Sequence, residues 1–329
     1  LPPSLEFLVL RSCEVTRARG FLAGVPALRV LRAEGSTLFM DSDSDDEERV
    51  CYDVGVPPSL QELYLHEATY SQTLVECLLG AADNDNDHCP AAAADNLHVL
   101  SAHVTVVPAC VGRLPALREL RLIINDTLAD TLATLADDGG HHGYRVAALA
   151  TLTTLRELTY QNTVWEDHTT LPYLPSVTRL EAQGNHSTVD VAYSLPNLKH
   201  LRVSFREPTM SCEPLSRLTA LTSLVLDACE KPNDGCAVCD RDGLPPNLHL
   251  VRSLQHLCMH AFVKGGTTTR RALGACSIKT VCNCTVFVPE VPRPTFSVID
   301  CPVPRTRFHE EGGRAVAASP REPQMATDD

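Results

Sequence analysis

Residues 5–13 read LEFLVLRSC, which is an L-x-x-L-x-L-x-x-C frame with Leu5, Leu8 and Leu10 at the apolar positions and Cys13 at its end. Apolar residues that alternate in this way are typical of a β-strand with one buried face. The frame recurs from Leu28, Leu60, Leu97, Leu117, Leu155, Val177, Leu198, Leu221 and Leu254. The short intervals are about 20 to 23 residues, a period that predicts an array of small repeats with one strand in each.

A proline signal precedes many of the frames. Pro26, Pro58, Pro115, Pro175 and Pro196 each lie two residues before the first apolar position. Proline cannot continue a helix, and it restricts the preceding residue to extended geometry. These prolines therefore mark the segment in which the chain returns to begin its next strand.

Polar stretches lengthen some repeats without breaking the frame. Residues 1–288 are predicted to be one array, and residues 276–288 (CSIKTVCNCTVFV) alternate as terminal strands that cap its open end. Pro, Arg and Glu dominate residues 289–329, which predicts a mostly disordered tail. We predict loop insertions near residues 40–49, 81–96, 137–146 and 231–244.

On these frames, the chain resembles leucine-rich-repeat proteins over residues 1 to about 262. It looks most like the irregular repeats of intracellular plant-type immune receptors and of F-box substrate adaptors. The resemblance implies an α/β solenoid, or horseshoe, of about ten irregular repeats, with a parallel sheet on the concave face and short or irregular convex segments. It also implies a buried hydrogen-bond ladder at the Asn/Cys position. That ladder should be patchy, because the good matches are Cys13, Asn125, Asn185 and Cys229.

The residues between the inward leucines are predicted to lie exposed on the concave face, where repeat proteins bind their partners. We predict that this face binds a protein, since Arg and Tyr are favoured interface anchors. One candidate patch lies near the N-terminal end, and a second lies farther along the array. The candidate binding residues are Arg32, Tyr64, His66 and His103 for the first patch, Arg179, His200 and Arg202 for the second, and Arg121.

Charge argues for a protein partner and against nucleic acid. The formal net charge is −13, from 28 basic and 41 acidic residues. Much of the excess is local, because the run 41–48 alone reads DSDSDDEE. A nucleic-acid backbone calls for clustered Lys and Arg, which this composition lacks.

Two groups contain residue types that bind metals or carry redox chemistry, and each group also has a purely structural interpretation. His256, Cys258 and His260 alternate along one strand, but same-face side chains about 7 Å apart are wide for a tetrahedral metal site. Cys236 and Cys239 form a C-x-x-C whose second half is not evident. We therefore predict no metal, no cofactor and no enzymatic activity. A metal- or thiol-dependent activity around these residues is the alternative.

Cysteine usage favours the cytoplasm. The chain has 14 cysteines, several at positions where a repeat core takes a small apolar residue, and buried thiols of that kind fit a reducing compartment. The alternative is a secreted or cell-surface protein, since Asn125, Asn185 and Asn283 match the glycosylation pattern.

Because the chain begins at Leu1 and not at Met, we expect it to be part of a longer protein. No apolar run reaches about 18 residues, so no membrane span is predicted.

Overall fold

The structure is a computed structural model, and it describes the ten predicted strands of the frame and part of the segments between them. The insertion near 40–49, the residues Cys236 and Cys239, and all of 300–329 lie outside the described residues. The described residues are 1–15, 22, 24–38, 57–66, 75, 95–104, 107–124, 146–162, 171–183, 188–204, 212–227, 247–260, 278, 280–283 and 297–299.

One open, parallel sheet dominates the described chain. Twelve strands pair side by side in the order of the sequence, so every connection moves one step in the same direction. The strands are β1 (Phe7–Arg11), β3 (Val30–Glu34), β5 (Glu62–His66), β6 (Val99–Val104), β7 (Glu119–Ile124), β8 (Glu157–Asn162), β9 (Arg179–Gln183), β10 (His200–Ser204), β11 (Ser223–Asp227), β12 (His256–His260), β13 (Thr280–Asn283) and β14 (Ser297–Ile299). Each of the ten frames carries one strand, from β1 to β12. β13 lies in the stretch predicted to end the array, and β14 lies in the predicted tail.

A second, small parallel sheet was not predicted. It pairs β2 (Glu14–Val15) with β4 (Thr37–Leu38). Before β4, Gly35 adopts a φ of +57°, in the left-handed region that glycine enters without strain. Next to Gly35, Ser36 Oγ accepts a hydrogen bond from the Cys13 N–H at 3.2 Å, which joins the Asn/Cys positions of the first two repeats.

Few helices occur among the described connections. They supply apolar side chains that cover one face of the sheet, and Val111, Leu149, Val191, Leu215 and Leu248 are all buried. The helices are α1 (Thr188–Ser194) and the 3-10 helices Ala109–Arg113, Val146–Thr151, Pro214–Arg217 and Leu248–Leu250.

The core consists of leucine ladders between the sheet and these connections. In β3 and β5, the inward residues Leu31, Ala33, Leu63 and Leu65 are all 0% exposed, and Leu31 and Ala33 pair in register with Leu63 and Leu65. Tyr160 is the one aromatic ring in the described core. Leucine and alanine can fill such thin layers because each layer packs mainly against its two neighbours.

Tight turns precede the strands. In Val25–Leu28, the N–H of Leu28 donates to the carbonyl oxygen of Val25 at 3.0 Å, and Pro26 occupies the second position, which its fixed φ suits. The proline signal therefore corresponds to these turns. The third position often has a Ser, Thr or Asn whose side chain donates to a carbonyl of the preceding turn. These residues are Ser59, Asn96, Thr154, Ser176, Asn197 and Ser253.

The connections also stack closely on the side of the core away from the sheet's outward face. Thr151 Oγ1 donates to the carbonyl oxygen of Gly112 at 2.6 Å. A Cβ on Gly112 would lie 2.5 Å from the Ala148 carbonyl oxygen, so glycine is required by the close approach of two backbones.

Core truncation should destabilise the array far more than the same truncation at its surface. Leu120→Ala removes a side chain that is 0% exposed, and we expect the free energy of unfolding to fall by about 2–5 kcal/mol. The matched control is Leu250→Ala. Leu250 is 36% exposed, so its truncation should lower the free energy of unfolding by less than about 1 kcal/mol. Urea denaturation followed by circular dichroism measures both, and equal losses would contradict the assigned register.

Candidate functional site

The outward side chains of the sheet form three rows, because alternate residues of each strand point the same way and the strands pair in register. The first row is Phe7, Val30, Glu62, Val99, Glu119, Glu157, Arg179, His200, Ser223 and His256. The middle row is Val9, Arg32, Tyr64, Ser101, Arg121, Thr159, Glu181, Arg202, Val225 and Cys258. The described side chains of the third row are Arg11, Glu34, His66, His103, Ile123 and Gln161.

This outward face is balanced in charge. Its described side chains include five arginines (11, 32, 121, 179 and 202) and five glutamates (34, 62, 119, 157 and 181), so five positive and five negative formal charges cancel. The whole chain carries −13. The acidic excess therefore lies away from the described outward face.

Aromatic rings hold Arg32 in place. The register sets Arg32 beside Tyr64, and its Cζ lies 4.5 Å from the centroid of the Tyr64 ring. The same Cζ lies 5.7 Å from the centroid of the Phe7 ring. Each contact of this kind stabilises the pair by about 0.5–1 kcal/mol at an exposed site, so the guanidinium is ordered before any partner arrives.

Two imidazoles continue the line of rings. The Tyr64 and His66 rings stack with centroids 6.1 Å apart, and the His66 and His103 rings meet edge to face at 6.0 Å. Ser101 Oγ lies 3.3 Å from His66 Nε2. The structure thus brings together Arg32, Tyr64, His66 and His103, the first patch predicted from the sequence, with Arg121 two strands beyond Tyr64 in the middle row. We call Arg32, Tyr64, His66, Ser101, His103 and Arg121 the Arg–His patch.

Burial keeps His66 uncharged. The pKa of His66 is lowered to about 4, mainly by loss of solvent and also by the neighbouring His103, Arg121 and Arg32, while Glu34 opposes them. At pH 7 the ring is therefore neutral. One of its nitrogens carries a proton and the other accepts.

Several buried nitrogens of the patch have no hydrogen-bond partner within the part of the chain that the structure describes, among them Arg32 Nε, His66 Nδ1 and Arg121 Nε. Among the described residues, neither Arg32 nor Arg121 forms an ion pair, whereas Arg11 Nε lies 2.9 Å from Glu34 Oε2. A buried donor without an acceptor costs about 1–3 kcal/mol, so the patch is under-satisfied as it stands.

Three carboxylates lie next to the patch in the first row. We call Glu62, Glu119 and Glu157 the acidic row. Tyr64 Oη donates to Glu62 Oε2 at 3.1 Å, and burial, followed by this bond, raises the pKa of Tyr64. Burial also raises the pKa of Glu119, helped by Glu157 and Glu62 and opposed by Arg121. The outward face thus carries an acidic row beside a cationic and aromatic patch.

The second predicted patch supplies its own counter-charge. Arg179 and His200 are register neighbours, as are Glu181 and Arg202. Arg179 Nη2 lies 3.2 Å from Glu181 Oε1, so this guanidinium is already paired. Burial lowers the pKa of His200, and Arg179 lowers it further. Of the two patches, the Arg–His patch leaves more donors unsatisfied.

Parts of the middle row are buried, although the sequence predicts an exposed concave face. Ser101, Thr159, Val225 and Cys258 are 2%, 9%, 9% and 4% exposed. Ser101 lies between the longer side chains of Tyr64 and Arg121, and Thr159 lies between Arg121 and Glu181. Val225 and Cys258 are buried against each other. Alternation predicts the direction of a side chain but not the cover that its neighbours provide.

The metal candidates gain no support from the described geometry. His256 and Cys258 point the same way from β12, but Cys258 is buried against Val225. Across the described residues, no three His, Cys, Asp or Glu side chains are arranged to hold a metal ion. The side chain of His260, and all of Cys236 and Cys239, lie outside the described part of the chain.

Phe7, Ser101 and the acidic row are absent from the candidate residues chosen from sequence. A large ring at an outward strand position is a usable signal for Phe7, which is 50% exposed. Ser101 had no such signal, because its contact with His66 depends on the stacking of two neighbouring strands.

Comparison with known proteins assigns no family. No protein-family model matches the chain, and no curated protein matches it. Among the described helices, none has both the length and the apolar character needed to cross a membrane.

The pKa of His66 should respond to its charged neighbours in opposite directions. Arg121→Gln removes a positive charge and should raise this pKa above about 4, whereas Glu34→Gln removes a negative charge and should lower it. NMR titration of histidine-labelled protein measures the pKa, with His66→Gln to assign the signal. A wild-type value near the ordinary 6.5 would contradict the burial of this ring.

Proposed function

We propose that the chain is a leucine-rich-repeat solenoid that holds a partner protein on the outward, concave face of its sheet and catalyses no reaction. The observation that carries the proposal is the continuous outward face over ten register-paired strands, with arginine and aromatic anchors on one side and a leucine-rich core on the other. The resemblance to immune-receptor and F-box-adaptor repeats makes recognition within a larger protein the natural setting.

The solenoid proposal is supported by how the repeats follow one another. Each connection moves one strand along, and turns such as Val25–Leu28 are tied to the next turn by a side chain such as Ser59. Every repeat therefore packs mainly on its neighbours. That arrangement is the physical basis of repeat arrays with extended binding faces.

The size of the face suits a protein partner. Ten strands have nine spacings of about 4.8 Å, or about 43 Å, and five residues of a strand extend about 17 Å. The product is about 700 Å², close to the roughly 800 Å² that each partner buries in a standard protein interface. The balanced charge of the face also suits a protein better than a polyanion.

We infer a cytoplasmic location from the cysteines. Cys110 and Cys212 are 1% and 0% exposed and occupy core positions as small apolar side chains. Such use of cysteine fits a reducing compartment.

Substitutions on the outward face should remove the partner, and substitutions on the opposite side should not. The test variant is Arg32→Glu, Tyr64→Ala, Arg202→Glu. The matched control is Tyr173→Ala, Tyr193→Ala, because both tyrosines lie in connections and are 63% and 57% exposed. Proximity labelling identifies partners of the wild-type chain, and calorimetry with the purified partner then gives affinities. We expect at least a roughly 10-fold loss for the test variant and little change for the control.

Circular dichroism must first establish that both variants fold. If the partner binds the test variant as tightly as the wild type, or if the control variant loses it, the outward face is not the binding site.

A further inference from the structure

Arg32 and Arg121 differ from Arg11 and Arg179 of the outward face, because neither forms an ion pair with a described residue. Arg11 and Arg179 pair with Glu34 and Glu181. Arg32 and Arg121 form no ion pair in the described part of the chain, and the Nε of each is buried without an acceptor. A carboxylate from outside would supply an ion-pair partner to each guanidinium.

The two arginines are held at a fixed separation. Both lie in the middle row, Arg32 on β3 and Arg121 on β7, with β5 and β6 between them. Three strand spacings separate them by about 14 Å. Because Arg32 lies over the rings of Phe7 and Tyr64, little side-chain freedom remains for a ligand to remove.

His66 adds a third donor between them. When Ser101 Oγ donates to His66 Nε2, the neutral ring carries its proton on Nδ1, which has no acceptor among the described residues. This N–H belongs to β5, between the strands of the two arginines.

The acidic row limits the kind of anion that fits. Glu62 and Glu119 lie two residues before Tyr64 and Arg121 on the same strands, about 7 Å away along the sheet. A polyanion such as a nucleic acid would bring charge over these carboxylates as well. Isolated carboxylates placed over the arginines avoid that repulsion.

We propose that the Arg–His patch binds two carboxylates of one extended peptide segment of the partner, one at Arg32 and one at Arg121, with the segment crossing the strands. This inference rests on the proposed function, since it names the ligand chemistry of the same face. In an extended peptide, residues four apart are separated by about 14 Å, which matches the separation of the two arginines. The segment therefore carries acidic residues at positions i and i+4.

Synthetic peptides test this spacing on the full chain. Four acetylated peptides share one Ser/Thr-rich sequence and differ in their acids: Glu at i and i+2, Glu at i and i+4, Glu at i and i+8, and Gln at i and i+4. We expect the i,i+4 Glu peptide to bind at least about 10-fold more tightly than the Gln peptide, and more tightly than either other spacing. Fluorescence anisotropy at fixed salt measures the affinities.

Matched variants then assign the binding. Arg121→Gln and Arg32→Gln should each lower the affinity for the i,i+4 Glu peptide by about 10-fold. Arg217→Gln removes the same charge from the connection before β11, where the guanidinium lies over the Tyr193 ring, so it should change the affinity by less than about 2-fold. Urea denaturation checks that each variant remains folded. Because Arg32 and Arg121 are substituted separately, the prediction is still tested when one of the two variants fails to fold.

The proposal is overturned if the Glu and Gln peptides bind alike, if spacing has no effect, or if Arg217→Gln weakens binding as much as Arg121→Gln. Tighter binding of a single-stranded oligonucleotide of equal length would also overturn it. If the peptides do not bind as predicted, the proposed function can still be tested separately. The outward-face variant would still lose its partner if the face is right and the ligand chemistry is wrong.

Discussion

Because consecutive parallel strands pair in register, each position of the repeating frame keeps one place across the sheet. The leucines of every repeat then meet on one side, where Leu31, Leu63 and their equivalents are buried beneath the connections. The intervening residues meet on the other side in three rows. A slip of one residue in a single strand would exchange the two sets, so burial of the leucines is also what maintains the outward face.

That constraint explains the electrostatics of the outward face. The strands bring Arg32, Tyr64 and His66 within contact of one another, although none of them is adjacent to another in the chain. The same register places Glu62, Glu119 and Glu157 in the neighbouring row. Rings order one guanidinium, and burial leaves His66 neutral beside unsatisfied donors. Side chains ordered in this way would lose little further conformational freedom if a complementary partner bound.

The strands could be predicted from sequence because alternation and the return prolines are local signals with a known physical cause. The clustering of Arg32, Tyr64, His66 and His103 could also be predicted, since the repeating frame gives the order of their strands. Three features could not be predicted from the sequence. Burial of Ser101 depends on how neighbouring side chains cover it, the ring of Phe7 reaches Arg32 diagonally, and the pairing of β2 with β4 has no apolar pattern to reveal it. Each arises from contacts between repeats, which no single frame contains.

The central claim is that a partner protein lies on the outward face, and site-specific photo-crosslinking tests it most directly. A photoreactive residue at Val99, an outward position between Glu62 and Glu119, is compared with the same residue at Tyr173 in a connection. Binding on the outward face predicts a covalent adduct with the partner from position 99 and none from position 173. Adducts from position 173 alone would place the partner on the opposite side and contradict the account.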